Sequence, residues 1–281
     1  MRVAVVGLGL IGGSIALAAR ERLSAEVSGW DRDAAAIDAA VARGALASGA
    51  GSLASAVAEA DVVFTAAPVD ALPQLIGEVL AHARSDAVIT DVGSTKRAIV
   101  ESVSDERFIG GHPLAGAETS GVQNASARLF DTTTWYLTPG AGTADATLTR
   151  VEELISALGA TVVRLDATEH DRLMAAVSHL PHVFANVLLS QLLATDLPAV
   201  PGPSFRDATR VAGSNPAVWS AIYLDNRDQV AAAIDHAIEL LRAVHDDLER
   251  GDADALLRWC EQAAADRERL QPAADRERLQ P

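Results

Sequence analysis

Short apolar runs alternate with longer amphipathic stretches over the first 166 residues. Seven of these runs have the length and the β-branched content of buried strands: Val3–Val6, Val27–Trp30, Val62–Ala66, Ala87–Asp91, Phe108–Gly110, Thr134–Thr138 and Thr161–Leu165. The stretches between them have helical periodicity. This alternation predicts an α/β domain at residues 1–166, a doubly wound parallel sheet with helices on both faces.

Beyond residue 166 the pattern is helical and contains no convincing strand, which predicts an all-α domain at residues 167–281. Pro181 should kink a first helix running from Thr168 to Leu197. A loop is expected at Pro198–Pro203, and Asn215 should cap a helix that begins at Pro216. A long amphipathic helix is predicted from Asp228 to Glu249. So much Ala- and Leu-rich helical surface suggests a homodimer formed through this domain, with a self-contained bundle as the alternative.

Three glycines directly after the first strand, Gly7, Gly9 and Gly12, form a G-x-G-x-x-G loop that opens a helix. The first makes a tight turn, the second admits a pyrophosphate to the backbone, and the third lets helix and strand pack closely. Leu10 and Ile11 lie between them at the positive end of the helix and should also contact the diphosphate. The pattern predicts a Rossmann-type dinucleotide site.

The second strand ends at Asp31, which lies 24 residues after Gly7 and can accept hydrogen bonds from the adenosine ribose. Pro68, after the third strand, is expected beside the same cofactor. An acid at this position favours NAD, because it repels the 2′-phosphate of NADP. Arg32 could bind that phosphate, so NADP is not excluded.

Composition narrows the class of protein. The 281 residues are 49% hydrophobic and carry a formal charge of −15, so neither nucleic acid nor an anionic membrane is an expected partner. We expect a cytoplasmic protein, since the glycines argue against reading the N-terminus as a signal peptide and no membrane span is predicted. Cys260 is the single cysteine, which excludes an intrachain disulfide, and it is expected as a packed core thiol.

Candidate chemistry lies after the later strands. His112, placed in a tight loop following Phe108–Gly110, suits a general base toward a hydroxyl whose carbon gives up hydride. The alternative is a histidine that only structures the loop. Ser94 and Lys96 could position the hydroxyl and neutralise an anion, and Ser94 could also cap a helix.

The helical region offers two further groups. His179 and His182 flank Pro181, and they either pack around the kink or line a cleft with Ser178 and Asn186. A metal site there is not favoured, since no nearby Cys or acid completes a ligand set. Arg206 and Arg210 lie four residues apart on one predicted helix face, and either could bind a carboxylate.

Five motifs in this order resemble the prephenate/arogenate dehydrogenases of tyrosine biosynthesis. They are the glycine loop at residues 7–14, Asp91–Lys96, Gly110–Gly121, Ser178–His182, and Phe205–Arg210 through Trp219. The resemblance covers roughly residues 1–250 and implies oxidative decarboxylation of prephenate or arogenate with NAD(P). It also implies that His112 deprotonates the ring 4-hydroxyl, Ser94 supports that hydroxyl, Arg210 binds a substrate carboxylate, and His179 and His182 face the substrate. Family members pair through the helical domain, which again implies a homodimer.

Prephenate is the expected substrate, with arogenate as the alternative. Glu118 is the only acid in the loop after His112 that could meet the ammonium group of arogenate. A β-hydroxyacid dehydrogenase would need a lysine in the helical domain, yet no lysine follows Lys96. A dinucleotide-sensing regulator would need a basic face. Neither a fused chorismate mutase nor a regulatory ACT domain is expected. The nonapeptide at residues 264–272 recurs at 273–281 and is assigned no function.

Overall fold

The computed structural model describes residues 1–115, 121–195 and 200–270. The chain divides into two compact units, Met1–Val230 and Ala231–Pro281. The predicted domain boundary at residues 166 and 167 stays a prediction. The predicted loop Pro198–Pro203 extends one residue too far, because Pro203 is the first residue of a helix.

Seven strands form one sheet in the first unit. They are β1 Arg2–Val6, β2 Glu26–Trp30, β3 Val62–Thr65, β4 Val88–Asp91, β5 Phe108–Pro113, β6 Thr134–Thr138 and β7 Thr161–Arg164. Their order is β2-β1-β3-β4-β5-β6-β7. The predicted α/β fold is confirmed.

One strand pair departs from the predicted parallel arrangement. β5 and β6 run antiparallel, with His112 opposite Tyr136, while all the other neighbouring strands are parallel. β5 is buried at every position, and a strand covered on both faces is apolar throughout whichever way its neighbour runs, so the sequence pattern could not reveal this reversal.

The apolar runs are continuous because both faces of the sheet are covered. Along β1, Val3 and Val5 pack on one face with α1, Leu10–Leu23, whereas Ala4 and Val6 pack on the other face with α3, Leu53–Val57. Side chains alternate across a strand, so a strand buried on both faces needs apolar residues at every position.

The remaining elements of the first unit are mainly helical. They are α2 Ala34–Ala42, α4 Leu72–His82, α5 Arg97–Ser102, a 3-10 turn Val122–Asn124, α6 Asp145–Ala157, α7 Ala167–Met174, a π-helical turn Ala175–His179, α8 Leu180–Leu193, α9 Pro203–Thr209, a 3-10 turn Arg210–Gly213, and α10 Pro216–Asp225. α11 Arg227–Arg250 begins in this unit.

The helix start predicted at Pro216 is confirmed, and the discontinuity expected at Pro181 lies just before this proline, in a π-helical turn. Asn215 caps α10, where its side chain accepts hydrogen bonds from the backbone N–H groups of Ala217 and Val218. Pro181 lies in the first turn of α8, directly after the π-helical turn. A first-turn proline sacrifices no helical hydrogen bond, so the chain accommodates it at this discontinuity.

The continuous helical stretch Ala167–Leu193 is long and apolar enough, by length and composition alone, to cross a membrane, with a mean hydropathy of 1.4. The sequence prediction overlooked this stretch. His170, Asp171 and His179 are buried along it and hydrogen-bond to other protein groups. Only 28% of its apolar window is buried, and Val177, Val187 and Leu193 are exposed, so packing within the unit covers only part of this apolar surface.

The second unit consists of the remainder of α11 and of α12, Ala253–Leu270, over its described part. Gly251 connects the two helices with a φ of +65°, a conformation that glycine adopts at little cost. The expectation for Cys260 is wrong, because its thiol is exposed rather than packed in a core. α12 has no buried residue on which a core could form.

Candidate active site

The glycine loop lies between β1 and α1, and two of its glycines are required by close contacts. Gly7 has a φ of +98°, and a Cβ there would lie 2.0 Å from the carbonyl oxygen of Ala66. A Cβ on Gly12 would lie 1.9 Å from the carbonyl oxygen of Gly7. Gly9, in contrast, has no atom within 4 Å of its ideal Cβ position. The loop is therefore packed on its inner side and open at Gly9.

α1 begins at Leu10 without a side-chain cap and without an acid in its first turn. The first backbone N–H groups of a helix have no partner within it, and they carry its positive dipole end. Leu10 and Ile11 are both half-buried at this end, and Gly9 just before them is exposed. The helix start can therefore receive an anion such as a diphosphate.

A cavity of about 430 Å³ adjoins this loop, and five of the predicted cofactor residues line it: Gly7, Gly9, Asp31, Arg32 and Pro68. Asp31 also braces the loop, because Oδ2 accepts a hydrogen bond from the Leu8 N–H at 2.7 Å and Oδ1 accepts one from the Asp33 N–H at 2.9 Å. Each carboxylate oxygen has a second lone pair, which remains suited to a ribose hydroxyl.

A second cavity, of about 460 Å³, lies at the ends of β4 and β5. It brings together residues that are far apart in the sequence, among them Ser94, His112, Ser178, His179, Arg210 and Trp219. We call this cavity the substrate cleft. Four of the predicted site residues, Ser94, His112, His179 and Arg210, thus line one cavity, although they belong to four different segments of the chain.

His112 does not follow a strand, as the sequence had suggested, but lies inside β5. The strand continues to Pro113 because β6 pairs with it, and Gly110 and Gly111 permit this close packing. A Cβ on Gly111 would lie 2.7 Å from the carbonyl oxygen of Asp91. His112 is therefore held by sheet hydrogen bonds rather than by a loop.

The His112 ring is buried and contacts a second histidine. Its Nδ1 lies 2.9 Å from Nε2 of His170, and Nδ1 of His170 lies 2.8 Å from Oδ1 of Asp171. Burial holds the pKa of His112 well below its usual 6.5, and repulsion from His170 when that ring is protonated, and from Lys96, adds to this effect. Burial also lowers the pKa of His170. Both rings are therefore neutral near pH 7.

Lys96 does not line the substrate cleft, contrary to its expected role in neutralising a substrate anion. Its side chain is completely buried and forms an ion pair with Asp91, which is buried as well. Asp91 also accepts hydrogen bonds from the N–H groups of Gly93 and Gly111, at 2.7 and 3.0 Å. The pair braces the backbone on either side of the cleft. Ser94 does line the cleft, and the N-cap position of α5 belongs to Lys96.

The two histidines of the helical stretch have different surroundings. His179 lines the cleft, and burial lowers its pKa from 6.5 to about 4. His182 stacks on Trp219 with ring centroids 3.7 Å apart, and its Nδ1 lies 2.5 Å from the Tyr223 hydroxyl. Burial lowers the pKa of His182. His182 lines a neighbouring cavity that shares Ser214 and Trp219 with the cleft.

Of the two candidate arginines, Arg210 lines the cleft from the 3-10 turn after α9. Arg206 instead donates a hydrogen bond to the carbonyl of Pro201 at 3.1 Å and is exposed. The loop residue Glu118 lies outside the described residues. Across the described part of the chain, no group of three His, Cys, Asp or Glu side chains could hold a metal ion.

Sequence reasoning missed His170, Asp171 and Asn226, which surround the cleft histidines. Asn226 Nδ2 lies 3.2 Å from Nδ1 of His179 and donates to the Asp171 carbonyl at 2.8 Å. The sequence did contain a signal for His170 and Asp171. The buried positions of α7 are Ala167, His170, Asp171 and Met174, so the helical period assigns two polar side chains to the buried face.

Comparison with known proteins agrees with this geometry. The profile of the prephenate dehydrogenase nucleotide-binding domain matches residues 15–164, and that of the prephenate dehydrogenase dimerization domain matches residues 166–262. A prephenate dehydrogenase from Bacillus subtilis is 35% identical over 95% of this chain and 76% of its own length. A cyclohexadienyl dehydrogenase from Zymomonas mobilis is 31% identical over 96% of both chains.

Among solved structures, the prephenate dehydrogenase of Aquifex aeolicus in complex with hydroxyphenyl propionate and NAD+ superimposes with a TM-score of 0.90. It shares 29% sequence identity, and the match covers 96% of this chain and 98% of that one. A glycine loop, a cleft histidine and two successive profile matches thus agree, and the chain belongs to the prephenate dehydrogenase family.

Proposed function

We propose that this protein is an NAD-dependent prephenate dehydrogenase of tyrosine biosynthesis. It converts prephenate to 4-hydroxyphenylpyruvate and CO2, and one hydride passes to the nicotinamide. The observation that carries the proposal is the substrate cleft, where His112, Ser94 and Arg210 meet in the unit that also contains the dinucleotide loop.

The residues around the loop fit NAD. The open side of Gly9 and the uncapped start of α1 would hold the diphosphate, together with Gly7, Leu10, Ile11 and Gly12. Asp31 would hold the ribose hydroxyls, with Arg32 and Pro68 beside it. NAD, when bound, supplies the acceptor for the hydride.

His112 is the base in this proposal. A neutral imidazole accepts the proton of the ring 4-hydroxyl while the carbon that bears it loses hydride. Loss of CO2 from the quaternary carbon on the opposite side of the ring then makes the ring aromatic, so much of the driving force comes from the substrate. The protein has to orient the hydroxyl, which we assign to Ser94 and His112, and to receive one proton.

Arg210 is the proposed carboxylate ligand. Arg210 lines the same cleft as His112, and a guanidinium forms paired hydrogen bonds with a carboxylate. His179 lies in the cleft wall and is neutral near pH 7, so it offers the substrate a hydrogen bond rather than a charge. We place His182 behind that wall, where it supports Trp219.

Prephenate is favoured over arogenate by the charges of the cleft. Arogenate carries an ammonium group, and none of the described residues that line the cleft is acidic. NADH formation should be measured with each substrate at saturating NAD, and kcat/KM should be higher for prephenate. A kcat/KM at least about tenfold higher for arogenate would reverse the assignment. No NADH from either substrate would refute the proposed function.

We further infer that the protein is a cytoplasmic homodimer that pairs through its helical region. The dimerization-domain match at residues 166–262 supports pairing, as do large exposed apolar side chains on α11 and α12: Leu240, Leu241, Leu248, Leu257 and Trp259. Light scattering should give twice the chain mass of 29.3 kDa. Leu241→Glu should shift the protein toward monomer, whereas an unchanged monomer in both proteins would refute the inference.

A further inference from the structure

Two buried side chains behind the cleft have no part in the chemistry described so far. His170 and Asp171 lie where the first turn of α7 meets the second, and His170 contacts His112 in β5. The contacts run in one line, from Asp171 Oδ1 to His170 Nδ1 at 2.8 Å and from His170 Nε2 to His112 Nδ1 at 2.9 Å. We call these three residues the His-His-Asp chain.

The direction of the hydrogen bonds is set at Asp171. Its Oδ1 accepts from the backbone N–H of Lys96 at 2.7 Å, and its Oδ2 accepts from the backbone N–H of Arg97 at 3.0 Å. Backbone N–H groups can only donate, so both oxygens act as acceptors. An acceptor carboxylate requires a donor on the other side, which makes Nδ1 of His170 the nitrogen that carries its proton.

The same reasoning continues along the chain. A neutral imidazole has one donor and one acceptor nitrogen, so a proton on Nδ1 of His170 leaves Nε2 with a lone pair. The contact at 2.9 Å then requires His112 to donate from Nδ1. If His112 carried its proton on Nε2 instead, two lone pairs would face each other in a buried position.

We propose that His170 and Asp171 are positioning residues that hold His112 in the Nδ1–H tautomer and thereby keep its Nε2 free to accept the substrate proton. The proposal rests on the assignment of His112 as the base. A carboxylate that fixes the tautomer of a catalytic histidine performs this function directly in serine proteases. Here a second imidazole stands between the carboxylate and the base.

The packing around His170 keeps this arrangement rigid. The ring of Tyr136 lies edge-on, with centroids 5.5 Å from those of His170. The charged and titratable groups that face His170 are His112 from β5, Lys96 and Asp91 around β4, Asp171 from its own helix, and His179 from the π-helical turn. Lys96 opposes a charge on His170, while Asp91 and Asp171 favour one.

Two substitutions of His170 separate positioning from packing. His170→Phe keeps an aromatic ring of similar volume but has no acceptor for His112. His170→Gln keeps an acceptor oxygen at a similar distance from the backbone. We expect His170→Phe to lower kcat at least about tenfold and to leave KM for prephenate and NAD nearly unchanged. His170→Gln should stay within about threefold of the unmutated enzyme.

The tautomer is read directly from long-range ¹H–¹⁵N correlation spectra of the full-length protein labelled at its seven histidines. The His112 signals are assigned from their loss in His112→Asn. We expect the unmutated protein to carry the His112 proton on Nδ1 and His170→Phe to lose this preference. A proton on Nε2 of His112 in the unmutated protein overturns the proposal even if His170→Phe fails to fold.

The kinetics of the two His170 variants decide whether His170 positions His112 or only packs against it. Equal loss of kcat in His170→Phe and His170→Gln, or no loss in His170→Phe, contradicts a positioning role. The proposed base is tested separately, since a His112→Asn enzyme with full kcat refutes it whatever the tautomer spectra show.

Discussion

Burial makes His112 a base that stays available in mild acid. A base accepts a proton only when it is neutral, and the lowered pKa of His112 extends its neutral range below the usual 6.5. We expect kcat at saturating substrates to stay level down to about pH 6.5 and to fall only at lower pH. His112→Asn should cost about 10²- to 10⁴-fold in kcat and abolish this acid limb.

His179→Asn is the matched control for that experiment, because His179 lies in the same cleft but is not the proposed base. It should disturb substrate binding and keep the acid limb. If the limb persists in His112→Asn and disappears in His179→Asn, the base is His179 and the assignment of His112 is wrong.

Arg206 and Arg210 provide another matched pair of substitutions. Arg210→Ala removes a guanidinium from the cleft, so KM for prephenate should rise roughly 10- to 100-fold while KM for NAD changes little. Arg206→Ala removes a side chain bonded to the Pro201 carbonyl and should leave both constants nearly unchanged. The reverse pattern in steady-state kinetics would identify Arg206 as the carboxylate ligand.

Breaking the buried Lys96–Asp91 pair by removing one partner should destabilise the protein strongly. Lys96→Met leaves a buried carboxylate without its cation, which typically costs about 3–5 kcal/mol in free energy of unfolding. Arg164→Met breaks an exposed ion pair with Glu152 and should barely move the urea midpoint. Equal shifts of the two midpoints would show that the buried pair is no more important than the exposed one.

At the scale of elements, the glycine loop allows a test of cofactor binding that spares the fold. Gly9→Ala places a methyl group into open space, with no protein atom within 4 Å of it, so folding should be unaffected. The methyl group would obstruct the approach of the diphosphate. NAD affinity, measured by fluorescence or calorimetry, should fall about tenfold or more.

Gly77→Ala is the control for this change, because Gly77 lies in α4 and also has no atom within 4 Å of its Cβ position. It should leave NAD affinity unchanged and stabilise the helix slightly. A Gly9→Ala protein that binds NAD as tightly as Gly77→Ala would move the diphosphate away from the loop.

Local signals were enough to predict most elements but not their long-range partners. The strand runs and the Asn215 cap depend on neighbouring residues, and the structure confirms both. The antiparallel pairing of β5 with β6 and the contact between His112 and His170 join residues far apart in the chain. Periodicity carries no information about such pairing, so His112 was expected in a loop and His170 was not considered.

At the scale of the whole molecule, the buried histidines should make stability depend on pH. The pKa of His179 is about 4 in the folded protein against an ordinary 6.5. Above pH 6.5 the group is neutral in both states. Between pH 6.5 and 4 the unfolded chain binds a proton that the folded protein does not, so stability decreases as the pH falls.

His179 alone should account for about 2 kcal/mol of lost stability between pH 7 and pH 5, a range in which ordinary carboxyl groups stay largely ionised. Urea unfolding at several pH values measures this slope. His179→Asn cannot titrate and should show a shallower slope, whatever its stability at pH 7. A slope equal to that of the unmutated protein would assign the acid sensitivity to other groups.

The π-helical turn Ala175–His179 also determines how the chain can change in length. Such a turn contains one residue more than the α-helical hydrogen-bonding pattern needs. Because the bonds of a π turn span five residues rather than four, its five residues advance the helix by roughly the angle of four α-helical ones. Removing a residue within the turn and restoring α-helical bonding would therefore leave His182 facing Trp219. A deletion elsewhere in α7 or α8 would instead turn every later position by about 100°, so this turn is a place where the helical stretch can lose a residue without turning the cleft side chains away.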